Sequence, residues 1–196
     1  PLIIKADGSK ISKRKGDASF EDLIEMGYLP QAIVNYIALL GWSPDSNQEI
    51  FSLEELVKAF NVRNISKSPS VFDMNKLRWF NGQYIRAMSP EEFYRHAEPY
   101  LANAITNRNI DLFKVSRLLQ ARTEVLSEIP EKVGFLNELS DYDLNIYVHK
   151  KMKTDLKISL DSLKAALPVL EAIDTWNEET IHDKLIGLAQ ELGLKN

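Results

Sequence analysis

The chain has 196 residues, 44% of them hydrophobic, with 24 basic and 28 acidic side chains and no cysteine. This composition excludes a disordered tail, disulfides and thiolate metal sites, and leaves room for one or two domains with real cores. A net charge of −4 does not suit nucleic-acid binding by bulk electrostatics, so any such contact has to come from local basic patches.

No apolar run approaches the roughly 18 residues that a membrane helix requires. No charged-then-apolar leader opens the sequence. Both fit a cytoplasmic protein without a membrane partner. The sequence starts without methionine, and Pro1-Leu2-Ile3-Ile4 reads as the interior of a strand, so it is read as a piece of a longer chain.

Asp7-Gly8 is a turn signal after the first apolar run, and a short two-stranded element is expected there. Ser9 to Asp17 is polar and basic, without hydrophobic period, and reads as a loop. Ser19 with Asp22 is a capping-box variant that starts a helix stopped by Gly27. Pro30 opens a helix to Leu40, apolar enough to be read as buried. Ser52-Leu53-Glu54-Glu55 is a capping box for a helix ending near Phe60. Asp73 caps a helix carrying Leu77, Trp79, Phe80 and Tyr84, with an interruption expected at Asn81-Gly82.

Ser89-Pro90-Glu91-Glu92 is the strongest start signal in the chain: a capping serine, proline at the first helical position and glutamate at the third. A domain boundary is placed just before it. Beyond it the pattern predicts helices near 90–104, 110–128, 130–138, 141–152, 159–173 and 178–192. Asp141, Ser159 and Asn177 serve as caps and Gly193 as a stop. The fold class expected is mainly α, with a short strand and loop at the N-terminus.

The chemistry sits in the first loop. Lys10 and Lys13 flank Ser12, and Arg14 follows directly. Such a loop can bring two or three cationic heads and a hydroxyl to one polyphosphate. When a carboxylate attacks the α-phosphate of ATP, charge builds on the phosphoryl oxygens, and cations closing over them stabilise the transition state. On charge alone the run is equally a basic surface loop. A second run, Lys150, Lys151, Lys153 and Lys157, reads as a solvated face. His96, His149 and His182 lack metal-ligand spacing. Trp42, Trp79 and Trp176 are read as packing residues rather than base-stacking platforms.

The order Lys10-Ile11-Ser12-Lys13-Arg14 resembles the KMSKS signature of class I aminoacyl-tRNA synthetases, in the KLSKR form of the glutamyl branch. The resemblance extends through Pro30–Ser43, Glu49–Leu56, Ser66–Asp73 and Lys76–Arg86, in family order and spacing. It continues more weakly to the end. Ile11 stands where the family more often has Leu or Met, which leaves the apolar character intact.

The resemblance implies a bacterial-type glutamyl-tRNA synthetase lacking most of its catalytic domain. Lys13 would be the main phosphate lysine, with Lys10, Ser12 and Arg14 completing the ATP loop. Residues 1–17 would end the catalytic domain, 18–88 would form a helical stem-contact domain, and 89–196 an α-helical anticodon-binding domain. Arg122 would read the third anticodon base. The substrates would be ATP, with Mg as its counter-ion, L-glutamate and tRNA(Glu), and the parent would be a monomer. The piece alone is expected to be inactive, with no metal of its own. Glutaminyl relatives carry β-barrel anticodon domains, which the helical pattern after Ser89 disfavours. Two other readings stay open: a stand-alone helical RNA-binding module and a helical protein-interaction scaffold.

Overall fold

The computed structural model describes residues 1–12, 19–139 and 141–194. They divide into two compact units, Pro1–Leu139 and Ser140–Asn196. Both are mainly helical, as expected.

In the first unit, β1 (Ile3–Ile4) pairs in parallel with β2 (Ser70–Val71), Ile3 opposite Ser70. The expected partner for the first run was local. What forms locally is a single antiparallel bridge, Ile4 to Lys10, across the Asp7-Gly8 turn. Gly8 holds φ at 81° there, a conformation that costs glycine nothing.

The helices of this unit start where their caps demand. Ser19 and Ser52 make full capping boxes ahead of α1 (Phe20–Glu25) and α3 (Leu53–Ala59). Pro30 opens α2 (Pro30–Leu39), Asp73 caps α4 (Met74–Ala87), and Ser89 caps α5 (Pro90–Ala104). Each side-chain cap satisfies an amide with no partner inside its own helix.

Four expectations fail here for identifiable reasons. Helix α2 buries Ala32, Ile33, Asn35 and Tyr36, but Val34 and Ile37 face solvent, so it is one-sided. Helix α4 runs unbroken through Asn81 and Gly82, both buried, because the Asn81 side chain bonds other segments rather than its own backbone. The stretch 110–128 is not one helix. α6 (Leu112–Leu119) passes into a 3-10 turn, Gln120–Arg122, and the chain is extended at Thr123. The apolar residues that prolong the helical pattern, Val125 and Leu126, enter the core from extended backbone and a second 3-10 turn. Similarly, 130–138 reduces to α7 (Ile129–Val133) and a 3-10 turn, Gly134–Leu136.

Two large clusters, with a smaller one of Trp42, Phe51 and Leu56, make the core. One joins Leu29 and Ala32 of the α2 region and Ile85 of α4 to Phe93, Ala97 and Leu101 of α5 and to Leu126, Ile129 and Val133. The other gathers Leu23, Ile33, Tyr36, Leu77, Phe80 and Val125. Burying each such side chain contributes on the order of 1.5–3 kcal/mol. Trp42 packs against Phe51 and Phe60, as a packing residue should. Trp79 packs edge-on to Phe80 at 5.1 Å while 41% exposed, and Trp176 is 58% exposed.

The second unit holds a 3-10 turn, Leu144–Tyr147, then α8 (Leu156–Glu171) and α9 (Glu178–Glu191). The predicted helix 141–152 is replaced by that turn and a tight His149–Thr154 bridge. Asp155, not Ser159, caps α8, with Ile158 N–H donating to it at 2.8 Å. Ser159 instead donates to the Tyr147 carbonyl at 2.8 Å. Asn177 caps α9 as predicted. Among the described residues of this unit, Ile173 is the buried hydrophobic, and Leu160, Leu163 and Leu167 of α8 are each more than half exposed.

Candidate functional site

The first loop is anchored before it becomes catalytic-looking. The Ser70 amide donates to the Leu2 carbonyl at 2.9 Å and the Phe72 amide to Ile4 at 2.8 Å, which fixes β1 on β2. The Lys5 amide then donates to the Ser9 carbonyl at 2.8 Å, and the Ser9 amide to Asp7 Oδ1 at 2.9 Å. Those hydrogen bonds from Ser9 hold the Asp7 carboxyl below its ordinary range. Lys10 leaves this turn exposed, bridged to Ile4, and Ser12 follows half-buried. Lys13 and Arg14 lie outside the described residues.

A second constellation escaped sequence reasoning. Arg78, on α4, donates from Nε to Glu124 at 2.6 Å and from Nη1 to Glu128. The other Glu128 oxygen lies 3.5 Å from Lys132 Nζ. Lys132 also donates to the Arg122 carbonyl at 2.7 Å. Burial pushes the Glu128 carboxyl up, but the Arg78 guanidinium and the Lys132 ammonium outweigh it and hold it below the usual range. The two glutamates in turn hold Arg78 firmly in its charged form.

Beside these charges, buried Asn81 works as a clamp. Its Oδ1 accepts from the Leu29 amide at 2.8 Å and its Nδ2 donates to the Glu124 carbonyl at 2.5 Å. Gln120 donates to the carbonyls of Ile85 and Met88 at 3.0 and 2.8 Å. The Leu126 amide donates to Gly27, and Ser127 Oγ to Met26 at 2.7 Å. The segment 120–128 is thus sewn to α4 on one side and to the α1–α2 turn on the other. Arg122 sits exposed in the middle of it.

Lys150, Lys151 and Lys153 are carried by the turn between His149 and Thr154, and Lys157 follows in the first turn of α8. All four side chains are exposed, as read from the sequence. Lys153 takes a left-handed backbone, φ 57°.

Comparison with known proteins gives the family. The family described as tRNA synthetases class I (E and Q), catalytic domain, matches residues 1–79. The family described as anticodon binding domain matches residues 92–196, more than half of the chain. A glutamate–tRNA ligase of Clostridium tetani is 57% identical over the whole chain, and one of Clostridium acetobutylicum 55%. The chain belongs to the glutamate–tRNA ligase family. It spans 40% of the length of those two relatives.

Solved members of the family share the architecture. A glutamate tRNA ligase from Elizabethkingia meningosepticum, crystallised with its amino acid, superposes with a TM-score of 0.74 at 27% identity, covering 99% of this chain and 42% of its own. The enzyme from Elizabethkingia anophelis gives 0.70 at 26%, covering 99% and 41%. Within the family's layout, the catalytic-domain match ends on α4 and the anticodon-domain match begins on α5. Those two helices contribute to one core, so the sequence families change where the packing does not. The clue to the Arg78 network was faint: acidic residues four apart at 124 and 128, and Arg78 as one of two arginines on a neighbouring amphipathic helix.

Proposed function

We propose that the chain supplies the ATP loop and the tRNA-recognition surfaces of a cytoplasmic, monomeric glutamate–tRNA ligase. In that reaction the glutamate carboxylate attacks the α-phosphate of ATP, pyrophosphate leaves, and the glutamyl group passes from the adenylate to tRNA(Glu). The observation that carries the reading is the unbroken match of all 196 residues to ligases at 57% and 55% identity. The loop order Lys10-Ile11-Ser12-Lys13-Arg14 supports it, because cations and a hydroxyl in that order suit a polyphosphate.

Each part then has a task. The β1–β2 pairing and the Asp7 turn hold the base of the loop, so that Lys10 starts from a fixed point. Lys13 meets the phosphates, and Ser12 and Arg14 help order the loop around them. Magnesium enters as the counter-ion of ATP. Helices α1 to α4 lie along the inner bend of the tRNA, and Arg122 reads the third anticodon base. A stand-alone RNA-binding or scaffold module has no observation in its favour, since the catalytic-domain family matches the first 79 residues.

The test is pyrophosphate exchange in the full-length ligase that carries this chain. Lys13→Ala is expected to lower the exchange rate about 10²–10³-fold, the usual loss for one electrostatic contact to a transition state, with the fold intact by circular dichroism. An unchanged rate would overturn the assignment of the loop.

A further inference from the structure

We infer that Lys132, Glu128 and Arg78 are positioning residues for Arg122, fixing the backbone from which that arginine reaches its base. The inference rests on the reading of Arg122 proposed above.

Arg122 ends the 3-10 turn Gln120–Arg122, and the next residue, Thr123, is buried and extended. The turn closes with the Thr123 amide donating to Gln120. Because the chain then runs extended, no further helical amide comes back to the Arg122 carbonyl. Lys132 fills that need at 2.7 Å. Its ammonium is itself placed by Glu128. Glu128 spends its second oxygen on Arg78, and Arg78 spends its Nε on Glu124. The result is an alternating chain of charges from α4 to the Arg122 peptide. Gln120 and Glu124 flank Arg122 by two residues on either side, and each is tied to α4 or the residue that ends it.

These charges satisfy one another. Arg122 is different: among the described residues its guanidinium makes no ion pair, and it is exposed. A guanidinium that reads a base edge through paired hydrogen bonds must be held within about half an ångström of the productive geometry. Arg has a long, flexible side chain, so a fixed backbone is what limits where its head can go. A purely stabilising network would alter affinity for every RNA alike. A positioning network alters the ratio between the right and the wrong base.

The experiment uses the 196-residue chain and two anticodon stem-loop RNAs that differ only in the third anticodon base, with binding followed by fluorescence anisotropy. Arg122→Ala is expected to bring the two affinities together, from a ratio of roughly 5- to 100-fold. Lys132→Met is expected to remove most of that ratio while the thermal midpoint stays near that of the parent. Lys132→Arg, which keeps a donor for the carbonyl, is expected to restore it, and Glu128→Gln to fall between. If Arg122→Ala abolishes the ratio and Lys132→Met preserves it, the positioning role is overturned and the reading of Arg122 stands. If the parent chain shows no base preference, or Arg122→Ala leaves it intact, the reading of Arg122 fails and takes the positioning role with it.

Discussion

Tyr36 and Asp73 exchange two hydrogen bonds through one phenol: the Asp73 amide donates to Tyr36 Oη at 2.7 Å, and the hydroxyl donates to the Asp73 carbonyl at 3.0 Å. Asp73 is also the cap of α4, and β2 ends two residues before it. Tyr36 therefore joins α2 to the point where the strand pair under the loop turns into the helix that carries Arg78. Its ring packs edge-on to Phe72 at 5.3 Å.

Tyr36→Phe strands the Asp73 amide in a partly buried place, while the Asp73 carbonyl keeps the Leu77 amide at 3.1 Å. A lost buried partner costs about 1–3 kcal/mol, so the urea midpoint should fall accordingly. Hydrogen exchange at the Ser70 and Phe72 amides, which hold β1, should quicken in the same variant. Unchanged exchange there would show that the strand pair does not depend on this phenol.

Gly27→Ala should destabilise strongly. Gly27 has φ 91°, and an added Cβ would lie 2.6 Å from the Ser127 amide nitrogen. Backbone cannot retreat as a side-chain tip can. Strain in that backbone region alone costs on the order of 1–3 kcal/mol, and the contact adds to it. Gly134→Ala is the control, since a Cβ there meets nothing within 4 Å. Differential scanning calorimetry of the two variants should show a large drop for the first and little change for the second.

Acid should act through Glu128. Its carboxyl is held below the ordinary 4.5 by Arg78 and Lys132 against the opposing effect of burial. A depressed folded value means stability that is present above the unfolded pKa and lost as pH falls through the folded one. Unfolding free energy should therefore decline below about pH 4.5, and Glu128→Gln should flatten that limb while lowering stability at neutral pH. An equally steep acid limb in the variant would assign the loss to other carboxylates.

Alkali should act through Tyr84. Burial pushes its phenol up to about 12. A raised folded value means stability that is complete below the unfolded pKa of 10.0 and lost as pH rises through the folded one. The loss should appear between about pH 10 and 12. Tyr84→Phe should reduce its slope without removing it, because burial also raises Tyr28 and Tyr36. Denaturation followed at several pH values checks the difference.

The elements that could be read from sequence were those written in local chemistry. Ser19, Ser52, Asp73, Ser89 and Asn177 each cap the helix expected of them, because a side-chain oxygen within three residues of an orphan amide needs no tertiary help. The misreadings share the opposite property. Asn81-Gly82 looks like a helix break, yet tertiary contacts recruit Asn81 to hold Leu29 and Glu124. The periodicity at 110–128 continues past Leu119 because Val125 and Leu126 are apolar for a core that extended backbone also reaches. At the candidate site, the loop lysines announce themselves by order along the chain. The frame around Arg122 does not, since Arg78, Glu128 and Lys132 meet only after the helices have packed.

One consequence of the parallel pairing of Ile3–Ile4 with Ser70–Val71 concerns time rather than geometry. A chain is made from its N-terminus, so Lys10 is synthesised long before the strand that anchors its turn. Until Phe72 has left the ribosome, the turn before Lys10 has its own local hydrogen bonds but no strand beside it. A ribosome that stalls in the Ser66–Ser70 stretch would leave behind a nascent polypeptide that carries Lys10 but not the strand on which β1 is held.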